Sequence, residues 1–335
     1  MPREIGVVGA GGWGTALAKV LADKGEQVTL WCHGSECYRD LTDRRENHAY
    51  LPGVELPGSI AVTQSLEAAV GDKFLVICAV PSHVVREVFC ATTGKISAHT
   101  LMLCGTKGLE ENTLKTMGEL FADIFGDGNH RRQAFLSGPT FAIEVARGLP
   151  AAATVAAKFA EVAKTIQEIL NTPSLRIYTS TDVIGVQIGG VVKNVIAIAA
   201  GISDGLGLGQ NARAALVTRG LAEMTRLAVR LGADSMTLAG LPGLGDLILT
   251  CAGDLSRNRR VGLQIAGGKS LPEIIQSTRS VAEGVRNTRS LYVLAQRLAV
   301  EMPIVEQMYA VLYAGKKPAE AVRHLMQRSL KPEAD

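Results

Sequence analysis

The chain has 335 residues, 47% of them apolar and 20% charged, which fits two folded domains and excludes both a small stapled scaffold and wholesale disorder. Lys plus Arg number 35 against 32 Asp plus Glu, so a net charge of +3 gives no bulk attraction to nucleic acid or an anionic membrane. Aromatics are only 4% while glycines number 36, a pairing that suits tight strand-to-helix turns better than stacking on exposed bases.

Short β-branched runs at 5–8, 28–31, 74–80, 100–104, 134–136, 154–155 and 176–178 alternate with helical patterns, and that alternation predicts a mostly parallel sheet. After Asp182, a helix-capping residue type, the pattern changes to helices at roughly 183–203, 212–231, 257–266, 287–299 and 304–314. The expected architecture is therefore α/β over residues 1–182 followed by an all-helical half over 183–335, with the cleft beside the first long helix. The stretch 183–202 approaches transmembrane length, but Gln187, Lys193 and Asn194 interrupt it and point to a buried helix of a protein without membrane insertion. Met1-Pro2-Arg3-Glu4 leads into an apolar run too short for a secretory signal. Six cysteines, Cys32, Cys37, Cys78, Cys90, Cys104 and Cys251, form no CxxC pair, and we read them as thiols of a reducing, cytoplasmic compartment.

Gly9-Ala10-Gly11-Gly12-Trp13-Gly14 follows the first strand at once and opens a helical run, the context in which a GxGxxG pattern binds a dinucleotide. Gly9 permits the turn, Gly11 admits a pyrophosphate close to backbone, and Gly14 lets helix pack on strand. The second strand ends in Cys32-His33-Gly34-Ser35, with no carboxylate to repel a 2′-phosphate, and Arg39, Arg44 and Arg45 lie downstream. NADPH is therefore expected to serve at least as well as NADH.

Ligands of an open parallel sheet sit beyond the carboxyl ends of its strands. Val80-Pro81-Ser82-His83, Thr106-Lys107-Gly108 and Ser137-Gly138-Pro139-Thr140-Phe141-Ala142 stand there. Lys107 can hold an anionic or carbonyl oxygen, Gly138 and Thr140 offer donors, and Ser82 reads as a helix cap with His83 a bystander. Lys193 interrupts an apolar, glycine-bearing helix, and its side chain leans back over Gly190 and Gly189, a bare surface on which a small ligand could lie beneath a general acid. A lysine snorkelling out of a core helix fits that helix equally well. Ser256-Arg257-Asn258-Arg259-Arg260 puts cations at the positive end of a helix, where a phosphate would relieve them. Asp246, within Gly243-Leu244-Gly245-Asp246, can pair with Lys193, accept a substrate hydroxyl or simply cap a helix. No HExxH or Cys/His cluster points to a metal.

With these segments, Val192-Lys193-Asn194-Val195-Ile196, Glu283-Gly284 and Glu301-Met302-Pro303-Ile304, the chain resembles bacterial NAD(P)-dependent sn-glycerol-3-phosphate dehydrogenases along nearly its whole length. That resemblance implies a Rossmann domain followed by a helical domain like that of 6-phosphogluconate dehydrogenase. It implies reduction of dihydroxyacetone phosphate to sn-glycerol 3-phosphate for phospholipid synthesis, with NADPH or NADH and no metal. It casts Lys193 as the proton donor, with Lys107 and Asp246 beside it, and Gly138, Thr140, Ser256, Arg257 and Asn258 as further substrate contacts. Gly9, Gly11, Gly12, Trp13, Gly14, His33, Tyr50, Lys107, Ala142, Arg257, Val281 and Glu283 fall to the cofactor. A homodimer is compatible with it. Leu103-Cys104-Gly105 ahead of Thr106 is a modest departure. The competing readings are a related dehydrogenase of another hydroxy acid or sugar phosphate, and an NADPH-sensing protein without turnover, which would leave Lys107, Lys193 and Asp246 without purpose.

Overall fold

The computed structural model describes residues 2–277 and 282–333. Its ten strands are β1 (Glu4–Val8), β2 (Gln27–Trp31), β3 (Glu46–Asn47), β4 (Leu51–Glu55), β5 (Ala61–Thr63), β6 (Leu75–Cys78), β7 (Leu101–Cys104), β8 (Gln133–Ser137), β9 (Ala151–Ala156) and β10 (Leu175–Ser180). The helices between them are α1 (Gly12–Asp23), α2 (Ser35–Asp43), α3 (Leu66–Val70), α4 (Val85–Cys90), α5 (Met117–Phe125), α6 (Ala142–Ala146) and α7 (Ala160–Leu170). After β10 the described chain is helical: α8 (Val183–Gly205), α9 (Gly209–Arg230), α10 (Ser235–Ala239), α11 (Asp246–Ala252), α12 (Arg257–Ala266), α13 (Leu271–Gln276), α14 (Glu283–Leu298), α15 (Pro303–Tyr313) and α16 (Pro318–Met326).

Eight strands form one sheet in the order β10-β9-β8-β7-β6-β1-β2-β5. All neighbours run parallel except β8 and β9. The central strands are apolar without interruption because helices cover both faces. Ile5, Val7 and Ile77 join Leu17, Leu21 and Ile166 in one core, while Val8, Val76 and Met102 join Phe89, Phe121 and Met117 in the other. The strand order reverses at the β1/β6 pair, so the turn after β1 and the residues after β6 open into one crevice. The Rossmann half and the helical half expected from sequence are both present.

A third core fills the helical half around α8. Asp182 caps α8 by accepting the Gly185 amide at 2.8 Å, as its residue type suggested. Gly201 of α8 and Gly262 of α12 let the two backbones touch: a Cβ on Gly201 would lie 2.0 Å from Arg259 O, and one on Gly262 would lie 2.1 Å from Ile198 O. Among the described residues, α8 is the one helix long and apolar enough to cross a membrane, yet 83% of its apolar window is buried inside the protein. Three strands were missing from the sequence reading: β5 on the sheet edge, and the separate β3–β4 hairpin at the mouth of the crevice.

Candidate active site

The chain leaves β1 through Gly9, whose φ of 119° only glycine adopts readily. A Cβ on Gly9 would sit 2.8 Å from the Ala79 carbonyl, and one on Gly14 would sit 1.9 Å from Gly9 O, so strand, turn and helix are locked together. Gly11, by contrast, has open space within 4 Å, and it begins α1 with no side chain capping the first amides. Those amides and the helix dipole face outward at the switch point, the arrangement that receives a pyrophosphate. Trp13 Nε1 beside Gly105 is buried and has no partner among the described groups. Tyr50 is exposed on the hairpin, its carbonyl close over Gly12, and Ala142 begins α6 beside it. His33 is exposed just past β2, its ring tilted against Trp31.

Asn47, which sequence reasoning passed over, ties this corner together. It is buried, and its amide donates to Ala10 O at 2.8 Å and Thr15 Oγ1 at 2.7 Å, clamping the β3–β4 hairpin onto the glycine turn. The three arginines after β2 have separate environments. Arg45 turns inward to the carbonyls of Pro57 and Ile60, Arg44 faces Asp40 at 3.8 Å, and Arg39 is exposed on the first turns of α2.

At the other side of the crevice, three charged side chains converge. Lys107, just beyond β7, reaches Asp246 Oδ2 at 2.7 Å, and Lys193 of α8 donates to Asp246 Oδ1. Asp246 is 1% exposed and Lys193 7% exposed. Thr250, one helical turn after Asp246, accepts from Lys193 at 3.0 Å and donates to the Asp246 carbonyl. Burial drives the Lys193 ammonium down to about 7 against the pull of the Asp246 carboxylate, with the Lys107 charge adding to the fall. Burial pushes the Asp246 carboxyl upward, but the two ammonium groups outweigh it and hold it below the usual carboxylate range. One buried carboxylate thus keeps two ammonium groups together.

The bare face imagined under Lys193 is filled. A Cβ on Gly189 would meet Pro242 O at 2.3 Å, and one on Gly190 would lie 3.1 Å from Ser137 Oγ and 3.3 Å from Lys107 Cγ. These glycines admit the backbone of the π-type turn Leu241–Gly245 and the stem of Lys107, so they bring Asp246 and Lys107 to Lys193 rather than leaving a shelf for ligand.

Gly138, at φ 146°, lies against Ala153, and its carbonyl accepts from Lys107 at 3.4 Å and Thr140 at 3.1 Å. Ser256 caps α12 by accepting the Arg259 amide at 3.2 Å. Arg257 is exposed at the start of that helix, whereas Asn258 is buried, donating to Asn194 Oδ1 at 2.8 Å and accepting from the Gly284 amide at 2.9 Å. Arg259 already has carboxylates, from Asp204 at 2.7 Å and Asp254 at 2.9 Å, so the anion sought at this helix start is supplied for that arginine by the protein itself. Ser82 is not a helix cap: its hydroxyl donates to Glu283 at 2.7 Å and its amide to the same carboxylate at 3.1 Å, which joins the post-β6 loop to α14. Val281 lies outside the described residues. No cluster of three or more His, Cys, Asp and Glu suited to a metal occurs among the described residues.

Residues 4–163 match the N-terminal family and residues 182–323 the C-terminal family of NAD-dependent glycerol-3-phosphate dehydrogenase. The chain belongs to that family. It is 51% identical over 333 residues to the glycerol-3-phosphate dehydrogenase [NAD(P)+] of Geobacter sp. (strain M21), covering 99% of both chains. The protein of the same name from Anaeromyxobacter dehalogenans (strain 2CP-C) is 53% identical over 327 residues, covering 98% of both. The crystal structure of glycerol-3-phosphate dehydrogenase from Coxiella burnetii superposes with a TM-score of 0.93 at 40% identity, over 98% of this chain and 99% of that one. Membership makes the chain a nicotinamide-dependent oxidoreductase that acts on a small molecule. Within this family frame, Asn47, Thr250 and Asn287 are polar residues of the crevice that sequence reasoning missed, and Asn194, read there only as an interruption of the apolar helix, holds Asn258. The i+4 spacing of Thr250 from Asp246 becomes meaningful only with α11, the helix that joins them. Asn287 of α14 donates to Lys107 O at 3.4 Å, while its own carbonyl oxygen is buried without a partner among the described groups.

Proposed function

We propose that the chain reduces dihydroxyacetone phosphate to sn-glycerol 3-phosphate, reversibly, with NADPH or NADH, and supplies glycerophospholipid synthesis. The observation that carries this reading is the Lys107–Asp246–Lys193 group, with Asp246 and Lys193 buried and Lys193 at about 7, at the carboxyl end of a dinucleotide-type sheet. A ketone reduction at neutral pH needs a group half charged near pH 7 beside the developing alkoxide.

The open space at Gly11, the uncapped amides of α1 and the unpartnered Trp13 Nε1 fit a bound dinucleotide. Gly9, Gly11, Gly12, Trp13 and Gly14 would hold its pyrophosphate side, His33 and Tyr50 its adenosine side, and Lys107, Ala142, Arg257, Val281 and Glu283 the rest. When bound, the nicotinamide supplies the hydride. Lys193 gives its proton to the carbonyl oxygen and takes it back in the oxidation direction. Lys107 steadies the same oxygen, and Asp246 keeps both ammonium groups in place. Gly138 and Thr140 line the carbon chain, and the amides of α12 with Ser256, Arg257 and Asn258 receive the phosphate.

Dihydroxyacetone-phosphate-dependent loss of NADPH absorbance tests this directly, and NADPH should turn over with a kcat/KM at least equal to that of NADH. Absence of turnover with this substrate would overturn the reading, and a strong preference for NADH would overturn the inference from Cys32 to Ser35. Residues 1–182 and 183–335 form the two domains in this proposal. Six free thiols support a cytoplasmic location, and exposed apolar side chains such as Leu208 and Met236 support a homodimer, which sedimentation would check.

A further inference from the structure

The β3–β4 hairpin stands apart from the eight-stranded sheet, and its ladder is thin: Glu46 pairs with Glu55 and Asn47 with Leu51, with a register shift between them. A two-stranded hairpin of this size is marginal by itself, so what it packs on sets its position. Its apolar side supplies part of that hold. Leu51 and Val54 form a small core with Ala16 of α1 and Ala146 of α6, and Trp13 and Ala142 pack against it. Asn47, 1% exposed, supplies the polar fastening. Its amide donates to Ala10 O at 2.8 Å and to Thr15 Oγ1 at 2.7 Å, and its side-chain carbonyl accepts the Tyr50 amide at 3.2 Å. Ala10 and Thr15 bracket residues 11–14, the stretch whose amides open α1, so one side chain holds both ends of the glycine turn. Its third bond holds the hairpin corner whose Tyr50 carbonyl stands over Gly12, 2.7 Å from where a Cβ would lie.

We infer that Asn47 is a positioning residue of the dinucleotide site: it holds the glycine turn and the hairpin together before the cofactor arrives, and so sets cofactor affinity rather than the rate of hydride transfer. This rests on the dinucleotide site proposed above. Helix amides attract a phosphate only when they are aimed at it. Gly11, Gly12 and Gly14 give the turn more backbone freedom than other residues would, and freedom lost on binding weakens binding. Asn47 removes that freedom while the chain is still empty. Its side chain has the two donors and the acceptor that this corner uses, whereas a carboxylate offers acceptors alone and a serine a single donor. These bonds all lie on the Rossmann side, and none is to Lys107, Asp246 or Lys193. The chemical step is therefore insulated from the fastening.

The test measures NADPH and NADH binding by fluorescence titration, and kinetics with dihydroxyacetone phosphate, on full-length parent, Asn47→Ala, Thr15→Val, Thr15→Ser and the Asn47→Ala/Thr15→Val double variant. Near-UV circular dichroism first establishes that each is folded. Asn47→Ala should raise the Kd of NADPH and of NADH alike, on the order of tenfold, because the turn meets the part the two share. The loss should appear in the KM for NADPH, with kcat and the KM for dihydroxyacetone phosphate within a few-fold of the parent. Thr15→Val should weaken binding less, and Thr15→Ser, which keeps the acceptor, should bind as the parent does. The double variant should bind no more weakly than Asn47→Ala alone, because Thr15 acts through Asn47. Unchanged Kd in folded Asn47→Ala, a loss confined to NADPH, a comparable loss in kcat, or additive losses in the double variant would each overturn the inference. If Asn47→Ala does not fold, the Thr15 pair decides, and equal binding by its two members overturns it. A parent that binds neither cofactor sinks the dinucleotide reading and this inference with it, whereas a parent that binds and variants that bind equally sink this inference alone. Where dihydroxyacetone phosphate is not turned over, the Kd values still decide.

Discussion

Asp246→Asn removes one charge from a buried group of three and leaves two ammonium groups facing each other. With charge centres about 4 Å apart and an effective dielectric of about 20, a carboxylate–ammonium pair is worth about 4 kcal/mol, or about three pKa units. Lys193, at about 7 with the carboxylate present, is then driven well below neutrality. Its protonated fraction at pH 7, about half in the parent, drops on the order of 10²–10³-fold, and ketone reduction at pH 7 drops with it. Breaking a buried pair also costs about 3–5 kcal/mol of stability, so near-UV circular dichroism and NADPH titration must first show a folded chain. The assay is kcat/KM for dihydroxyacetone phosphate from pH 5 to 9. The parent should be flat below pH 7 and decline above it, because a lysine titrating at about 7 is charged below that value and neutral above it. The variant should still be climbing as pH falls from 7 to 5, by about tenfold per unit. A folded Asp246→Asn chain with the parental profile, or with activity within tenfold at pH 7, would refute the idea that this carboxylate sets the charge of Lys193.

Lys193→Met keeps the length and apolar character of the side chain, so the chain should fold and bind NADPH yet lose on the order of 10²–10⁴ in turnover; activity within a few-fold of the parent would make Lys193 a structural lysine. Arg257→Ala should reduce kcat/KM for dihydroxyacetone phosphate far more than for unphosphorylated dihydroxyacetone, and equal losses on the two would dismiss the phosphate contact. Glu223 of α9 is 1% exposed and accepts the amides of Ile304 and Val305 at the start of α15, and burial raises its carboxyl from 4.5 to about 8. The folded chain therefore holds a proton there that the unfolded chain releases, and stability falls as pH rises from 4.5 to 8. Glu223→Gln should gain melting temperature relative to the parent at pH 8 compared with pH 5, and an identical difference at both values would refute the shift.

The parallel strands were legible because burial on both faces makes each a continuous apolar run, and α8 because Asp182 announces its start and its interior is apolar or small. β3 and β4 were not, since a strand buried as sparsely as Leu51–Glu55, with Pro52 and Gly53 inside it, shows no period-2 pattern. β5 spans only Ala61–Thr63 at the sheet edge, too short to carry a signal. α11 was hidden for another reason: the glycines of Leu241–Gly245 read as a loop, whereas they close a π-type turn that runs directly into it. The charged residues of the site could be named from sequence because each interrupts an apolar or glycine-rich context. Their partners could not, because whether Gly189 and Gly190 face ligand or backbone depends on what a distant segment places over them. Asn47 was invisible on the same ground: its role exists only in its contacts with Ala10 and Thr15.

What brings the charged group together is one continuous helix. Successive turns of α8 carry Gln187, which accepts the Gly118 amide of α5 at 2.9 Å; Gly189, under the Pro242 carbonyl; Gly190, against Lys107; Lys193, on Asp246; and Asn194, on Asn258. At about 1.5 Å of rise per residue these positions span about 10 Å of a rigid rod, and together they fix four segments: α5, the loop after β7, the turn that leads into Asp246, and α12. Asp246 raises the Lys193 ammonium against the burial that lowers it, and the charges of the two lysines hold Asp246 ionised at 1% exposure. The close approach at Gly189 is therefore an electrostatic requirement as much as a packing one: a side chain there would push Pro242 away, carry the turn and Asp246 with it, and leave Lys193 and Lys107 without their shared anion.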